Sequence, residues 1–196
     1  MRFFSSANPP RADGTATTLH DMPRPEGAWL FGKIPAHGDF IARGISAEVQ
    51  KLLDDWLSVE LGAARSRFAD FDTRYLQAAP WHFVDCDPDG NWTGGALCPS
   101  VDKVGRRFPI LVGAPAADAG HAEALACNAL ELIFGALGEG WDATRLCEAL
   151  AAIAPGTSGI APTQSLWAIE AEDGTRIEMP GRFPEGLIER MLELAA

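Results

Sequence analysis

Two tight turns, each between a pair of strand-like apolar runs, constrain the fold of this chain more than any other feature. Asp87-Pro-Asp-Gly90 separates runs at 81–85 and 92–97, and Asp173-Gly174 separates two more runs further along the chain. Turns this short join neighbouring strands as antiparallel hairpins, and Asp-Gly is a strong signal for a type I′ turn. The sequence therefore predicts a largely antiparallel sheet.

Apolar residues at helical spacing predict the elements that cover this sheet. Val49, Leu53, Trp56 and Leu61 form one such stripe, and Ser46 just before them is a suitable N-cap. Similar stripes predict helices near 122–137, 146–153 and 187–192, and strand-like runs lie at 28–31, 81–85, 92–97, 108–112, 166–172 and 175–179. The predicted class is α+β, with a largely antiparallel sheet covered by helices in the order β-α-β-β-β-α-α-β-β-α.

Composition divides the chain into an extension and one domain. Residues 1–26 are rich in proline and small polar residues without apolar periodicity, so we expect a flexible N-terminal extension. Residues 27–196 are predicted to form a single domain. Within it, 27–117 carries the sequence motifs, whereas 118–196 holds 4 basic and 13 acidic side chains, a net charge of −9.

Charge and cysteine content exclude several classes of protein. A net charge of −11 argues against nucleic-acid binding, which requires a basic surface. The four cysteines show no paired or C-x-x-C spacing, as expected of a reduced cytoplasmic protein without a disulfide framework or zinc site. No stretch is long and apolar enough for a membrane span. We therefore expect a cytoplasmic protein with no membrane insertion, metal or cofactor.

Two glycine- and proline-punctuated segments, at 31–40 and 98–109, carry most of the functional signal. Each places charged side chains between residues with special backbone behaviour, directly beside a strand-like run. If both lie at one end of the sheet, Asp39 could pair with Arg106, or Asp102 with Arg43. These segments form either a structural clasp or a partner-binding surface. The candidate residues are Lys33, Asp39, Arg43, Ser100, Asp102 and Arg106.

A catalytic interpretation of the same segments is the weaker alternative. Ser100 and Asp102, with His37 or His82, offer the residue types of a nucleophilic hydrolase. However, Ser100 is not in a G-x-S-x-G turn, and nothing in the sequence brings a histidine next to it. We therefore predict no catalytic residues.

The two segments and the residues around them resemble a known family. WLFGKIPAHGDF at 29–40, DWL at 55–57, PWHF at 80–83 and PSVDKVGR at 99–106 are similar to the motifs of the TagF (ImpM) family of bacterial type VI secretion-associated proteins. The resemblance runs from about residue 29 to 112. The segment 118–196 contributes no recognisable motif.

The resemblance implies a non-enzymatic accessory protein. Members of this family are associated with post-translational repression of type VI secretion through the forkhead-associated scaffold protein of that machine. Such a scaffold is therefore the expected protein partner. A third possibility is a structural subunit whose acidic segment, 118–196, docks a basic partner.

Overall fold

The computed structural model describes residues 18–22, 24–154, 156, 162–170 and 174–195. Within these ranges seven strands form one sheet. The strands are β1 (Trp29–Gly32), β2 (Ile41–Arg43), β3 (Trp81–Cys86), β4 (Trp92–Cys98), β5 (Ile110–Ala116), β6 (Leu166–Glu170) and β7 (Arg176–Pro180). The helices are α1 (Ala47–Arg67), α2 (Phe71–Gln77), α3 (Ala119–Glu139), α4 (Ala143–Ala151) and α5 (Leu187–Glu193).

The sheet has the order β2-β1-β5-β4-β3-β6-β7, and its neighbouring strands are antiparallel. The hairpins β3–β4 and β6–β7 are adjacent in sequence and in space, as the tight turns predict. The α+β class and the antiparallel sheet are therefore confirmed. The turn residue Asp173 itself lies outside the described residues.

One face of the sheet packs against α1, α2 and α5. The N-cap prediction for α1 is confirmed, since the Val49 amide donates to Ser46 Oγ over 3.2 Å. The apolar stripe of α1 is buried together with Trp81, Trp167 and the apolar side of α5 in the larger core cluster. Buried Glu60 of α1 accepts hydrogen bonds from the amides of Gly186 and Ile188, which otherwise lack partners at the start of α5.

The opposite face packs against α3 and α4. Each helix begins at an aspartate that accepts a backbone hydrogen bond, Asp118 from His121 and Asp142 from Arg145. Buried small and apolar residues of α3, such as Ala129 and Ile133, lie against the inner strands of the sheet. Helices thus cover both faces, and the two larger core clusters lie on either side of one sheet.

The predicted order omits two elements, β2 and α2. Strand β2 has only three residues, too few for a periodic signal, and its pairing with β1 defines it as a strand. Helix α2 has seven residues and only two buried side chains, Phe71 and Tyr75, so its sequence resembles a connector. In addition, β5 begins at Ile110 rather than at 108, because the two preceding residues belong to the adjoining loop.

The predicted N-terminal extension falls mostly outside the described residues. Its described part lies against the domain: Met22 is buried, and Arg182 donates to the carbonyl oxygens of His20 and Met22. Arg24 also donates to the carbonyl oxygens of Trp92 and Ala116, over 3.3 Å each. The chain that precedes β1 therefore contacts both the β4–β5 pair and the region that follows β7.

Candidate functional site: the junction of two loops

The two charged segments become two neighbouring loops at one end of the sheet. The first loop, residues 33–40, connects β1 to β2, and the second loop, residues 99–109, connects β4 to β5. Strands β1 and β5 are neighbours, and Gly32 at the end of β1 pairs with Ile110 at the start of β5. The strand order thus brings together two segments that are far apart in sequence, with Lys33 and Asp102 separated by 69 positions.

Gly32 allows the close approach of the two loops. Its backbone has a φ of +132°, and a Cβ atom there would lie 2.0 Å from the carbonyl oxygen of Pro109. A side chain would therefore be both strained and blocked by the backbone of the second loop. Glycine is required at this position by the loop junction itself.

Asp102 is the centre of the junction. Its side chain has no exposed surface, and its Oδ2 atom accepts hydrogen bonds from Lys33 Nζ over 3.0 Å and from Arg106 Nε over 2.6 Å. Its Oδ1 atom accepts from the backbone amides of Val104 and Arg106, over 3.0 and 2.9 Å. The carboxylate therefore has four donors, of which Lys33 belongs to the other loop.

This arrangement keeps Asp102 ionised. Burial by itself raises the pKa of a carboxyl group, but the hydrogen bonds from the Arg106 amide, Lys33, the Arg106 side chain and Val104 more than offset it. The pKa of Asp102 consequently lies well below its usual range. Lys33 is only 5 % exposed, so the pair with Asp102 supplies the counter-charge that a buried ammonium requires.

Further contacts join the two loops directly. Arg106 Nη2 donates to the carbonyl oxygen of Gly38 over 2.6 Å, and the Lys103 amide donates to the carbonyl oxygen of His37 over 2.8 Å. The rings of Phe40 and Phe108 meet edge to face, with centroids 4.7 Å apart. An ion pair, backbone hydrogen bonds and an aromatic contact therefore join the loops into one unit.

The surrounding helices fix this unit to the domain. Buried Tyr75 of α2 accepts a hydrogen bond from the Ser100 amide and donates one to its carbonyl oxygen, over 3.1 and 3.2 Å. Burial raises the pKa of Tyr75 well above its usual value, so the phenol keeps the proton that it donates. On the other side, His37 Nε2 accepts from the Ala143 amide at the start of α4 over 3.3 Å. Helices from both faces of the sheet thus hold the junction.

The specific ion pairs expected from the sequence were wrong. Asp102 pairs with Lys33 and Arg106, not with Arg43, because β2 carries Arg43 to the sheet edge, where it is exposed and donates to the Ala42 carbonyl oxygen. Asp39 is also exposed and accepts from the next amide in its own chain. Of the six candidate residues, the structure therefore brings Lys33, Ser100, Asp102 and Arg106 together and leaves Asp39 and Arg43 outside.

The junction offers little for nucleophilic chemistry. Ser100 Oγ is buried and has no hydrogen-bond partner among the described residues, so neither His37 nor His82 is placed to activate it. Burial also raises the pKa of the neighbouring Cys98 thiol to about 12, which keeps it in the unreactive neutral form. Among the described residues, the junction therefore holds no serine or cysteine nucleophile paired with a base.

The outer surface of the junction is partly apolar. Val104 at the tip of the second loop is 71 % exposed, and Phe40 at the end of the first loop is 43 % exposed. Exposed Lys103 follows Asp102, and the Arg106 side chain is 58 % exposed beyond its bond to Asp102. We call this surface, formed by Phe40, Lys103, Val104 and Arg106, the loop face.

Sequence reasoning missed several residues that build the junction. His37 was considered as a catalytic base, yet it connects the first loop to α4. Phe40 lies in the family motif at 29–40 but carries no predicted role, and Tyr75, the single tyrosine of the chain, lies in a stretch without a predicted element. The signal that the sequence does offer for Tyr75 is chemical: the hydroxyl group of a tyrosine usually finds a hydrogen-bond partner when the ring is buried.

The comparisons with known proteins agree with this fold. The model of the TagF N-terminal domain, described as type VI secretion system-associated, matches residues 29–153. The chain therefore belongs to the TagF N-terminal domain family, and the resemblance seen in the sequence is confirmed. A search of curated proteins found no significant relative.

A solved structure shows the same fold. The crystal structure of PA0076 from Pseudomonas aeruginosa PAO1 superimposes with a TM-score of 0.67 and 21 % sequence identity, covering 84 % of this chain and 93 % of that one. At this identity the likeness concerns the fold. In the described part of the chain, the helices are too short or too polar to cross a membrane.

Proposed function

We propose that this protein is a non-enzymatic, cytoplasmic regulator that represses type VI secretion after translation by binding a component of the secretion machine. The forkhead-associated scaffold is the proposed partner, and the loop face is the proposed contact surface. The family membership supports the link to type VI secretion. The geometry of the loop junction supports binding rather than catalysis.

The observation that carries the proposal is the contrast between the interior and the outside of the junction. Inside, Asp102 is fully hydrogen-bonded and the loops are held by helices on both faces of the sheet. Outside, Val104 and Phe40 expose apolar surface beside two cationic side chains. Interfaces gain affinity from rigid apolar and aromatic anchors, because little conformational entropy is lost on binding.

The charges of the loop face indicate the chemistry of its partner. Lys103 and Arg106 lie on this surface of an otherwise acidic protein. A partner surface with apolar residues bordered by carboxylates would complement it. The acidic segment, 118–196, is a weaker candidate because several of its carboxylates already pair within the fold, for example Glu189 and Glu193 with Arg67.

A substitution at the tip of the second loop tests the contact surface. Val104→Glu places a charge on the loop face without removing any backbone hydrogen bond of the loop. Val59→Glu is the matched control, because Val59 is 70 % exposed on α1. With the purified scaffold as titrant, we expect Val104→Glu to weaken binding at least about tenfold and Val59→Glu to leave it unchanged.

The regulatory role requires a second measurement in cells. Extra copies of the wild-type protein should reduce the amount of secreted effector, and extra copies of Val104→Glu should not. Ser100→Ala should repress as well as the wild type. The Ser100 hydroxyl is buried, makes no hydrogen bond among the described residues and is not part of the loop face. Absence of scaffold binding by the folded wild-type protein would contradict the proposed partner. Loss of repression in Ser100→Ala would instead favour the hydrolase alternative.

A further inference from the structure

A second cluster of functional groups lies between α3 and the central part of the sheet. His82 on β3 projects toward α3, since its neighbours Trp81 and Phe83 belong to the core on the other face. Glu123 and Cys127 are four residues apart on α3 and therefore share one side of the helix. One nitrogen, one carboxylate oxygen and the thiol of this trio all lie within 4.8 Å of one another.

Two polar atoms of the trio are buried without a partner. His82 Nε2 lies 3.5 Å from Glu123 Oε1 but makes no hydrogen bond among the described residues, and Glu123 Oε2 has none there either. Both residues are at most 3 % exposed. Buried polar atoms without partners cost free energy, so the arrangement calls for a group that binds both of them.

The trio is also accessible from outside. His82 and Cys127 line a cleft of about 320 Å³, and Cys127 is exposed at its wall. Glu131 and Glu170 line the same cleft, so its mouth carries negative charge. A cation could therefore enter from solvent and reach His82, whose Nε2 atom lies 3.5 Å from the Glu123 carboxylate behind it.

We propose that His82, Glu123 and Cys127 form a binding site for a borderline-soft divalent cation of the zinc class. Imidazole nitrogen, thiolate sulfur and carboxylate oxygen are the ligands that zinc takes in proteins, and three of them leave a fourth position for water. Tetrahedral zinc ligands lie about 3.5 Å apart, so the trio contracts by about 1 Å on binding, mainly through rotation of exposed Cys127.

Arg176 sets the orientation of the carboxylate ligand. Its Nη1 atom donates to Glu123 Oε1 over 2.7 Å, which leaves Oε2 as the free ligand atom. Hydrogen bonds of this kind commonly orient metal-binding carboxylates. The positive charge of Arg176 opposes that of the cation, and its second pair, with Glu178 over 2.7 Å, offsets part of this repulsion.

The competing interpretation is a metal-free ion cluster of Arg176, Glu123 and protonated His82. The two are distinguished by titrating tag-free, reduced protein with Co²⁺ and with Zn²⁺. The metal site predicts one equivalent of bound Co²⁺ with a sulfur-to-cobalt charge-transfer absorption band, and one equivalent of bound Zn²⁺ by calorimetry. It also predicts a melting temperature that rises with added Zn²⁺.

Variants assign the site to the trio. Cys127→Ala should abolish the charge-transfer band and lower Zn²⁺ affinity at least about tenfold, since losing a ligand costs at least as much as losing an outer hydrogen bond. Cys147→Ala, which removes a half-buried thiol elsewhere, should change neither. Glu123→Gln should weaken binding but keep the sulfur band. Absence of the band in the wild type, or its persistence in Cys127→Ala, would overturn the proposal.

Discussion

Two of the carboxylates buried in the described part of the chain, Asp102 and Glu123, lie in very different surroundings. Asp102 accepts four hydrogen bonds, from two side chains and two backbone amides, and both of its oxygens are used. Glu123 is just as buried, yet one of its oxygens has no partner in the described structure and the nearby His82 nitrogen has none either. The first carboxylate is fully satisfied by the protein, and the second is not.

The difference shows how to separate a structural site from a ligand site. A buried charge with all of its lone pairs used fixes the chain around it, as Asp102 fixes the two loops. A buried charge with an open lone pair, next to a residue that lines a cleft and has an unused ligand atom, is ready for a ligand from outside. At the loop junction we therefore expect a partner to bind the outer surface. At the Glu123 cluster we expect a ligand to bind the buried groups themselves.

Gly32→Ala should give the largest effect, because it breaks the loop junction. The new Cβ would overlap the Pro109 carbonyl oxygen, and the backbone at φ +132° disfavours any side chain. We expect a loss of about 3 kcal/mol or more in the free energy of unfolding, measured by urea denaturation. Gly38→Ala in the same loop is the control, since nothing lies within 4 Å of its added Cβ. Equal effects of the two substitutions would refute the close-approach argument.

Neutral isosteres test the comparison of the two carboxylates directly. Asp102→Asn removes the counter-charge of buried Lys33 and should lower the melting temperature by more than Glu123→Gln does. For Glu123→Gln in the presence of a chelator, we expect the free energy of unfolding to fall by about 1–3 kcal/mol. The loss is limited because Arg176 keeps its second ion pair, with Glu178. The opposite ranking, measured by thermal denaturation, would contradict the assignment of Asp102 as the structural centre.

The pH dependence of stability should report on Asp102. The pKa of Asp102 is lower in the folded state than in the unfolded chain, where it is about 3.9. The contribution of Asp102 to stability is therefore fully present above about pH 3.9 and is lost as the pH falls toward the pKa of the folded state. Asp102→Asn should therefore show a smaller loss of stability than the wild type between about pH 5 and pH 2. Denaturation midpoints across this range give the measurement.

Glu60 acts in the opposite direction. Burial raises the pKa of Glu60 despite the two backbone hydrogen bonds that it accepts. Its contribution to the stability of the fold is therefore present at low pH and is lost as the pH rises through the raised pKa. Its contribution is common to the wild type and Asp102→Asn, so it cancels in their difference. Identical pH profiles for these two proteins would show that Asp102 does not have a lowered pKa.

Val104→Glu should have the smallest effect on stability and a large one on binding. The Val104 side chain is mostly exposed, and the backbone bond to Asp102 is kept, so the free energy of unfolding should change by less than about 0.5 kcal/mol. Chemical denaturation checks this beside the binding titration. A substantial loss of stability would mean that the loop face is part of the core structure and that reduced binding cannot be assigned to contact.

Much of the fold could be predicted from local signals. Ser46 and the stripe that follows it mark α1, and short turns mark the β3–β4 and β6–β7 hairpins. Elements without a local signal were missed: β2 is defined by its pairing with β1, and α2 by the burial of Phe71 and Tyr75. Both depend on packing and pairing in the folded chain rather than on local propensity.

The candidate site was also predicted only in part, because local signals mark its two segments but not the contacts between them. The sequence by itself determined the family, the Ser46 cap of α1, the hairpins and the two segments that carry charge among glycine and proline. Only the tertiary structure decided that β1 lies beside β5, that Lys33 rather than Arg43 reaches Asp102, and that His82 of β3 meets Glu123 of α3. Turns and caps depend on residues that are neighbours in sequence. The partner of a buried charge, by contrast, is the side chain that strand order and helix packing place beside it.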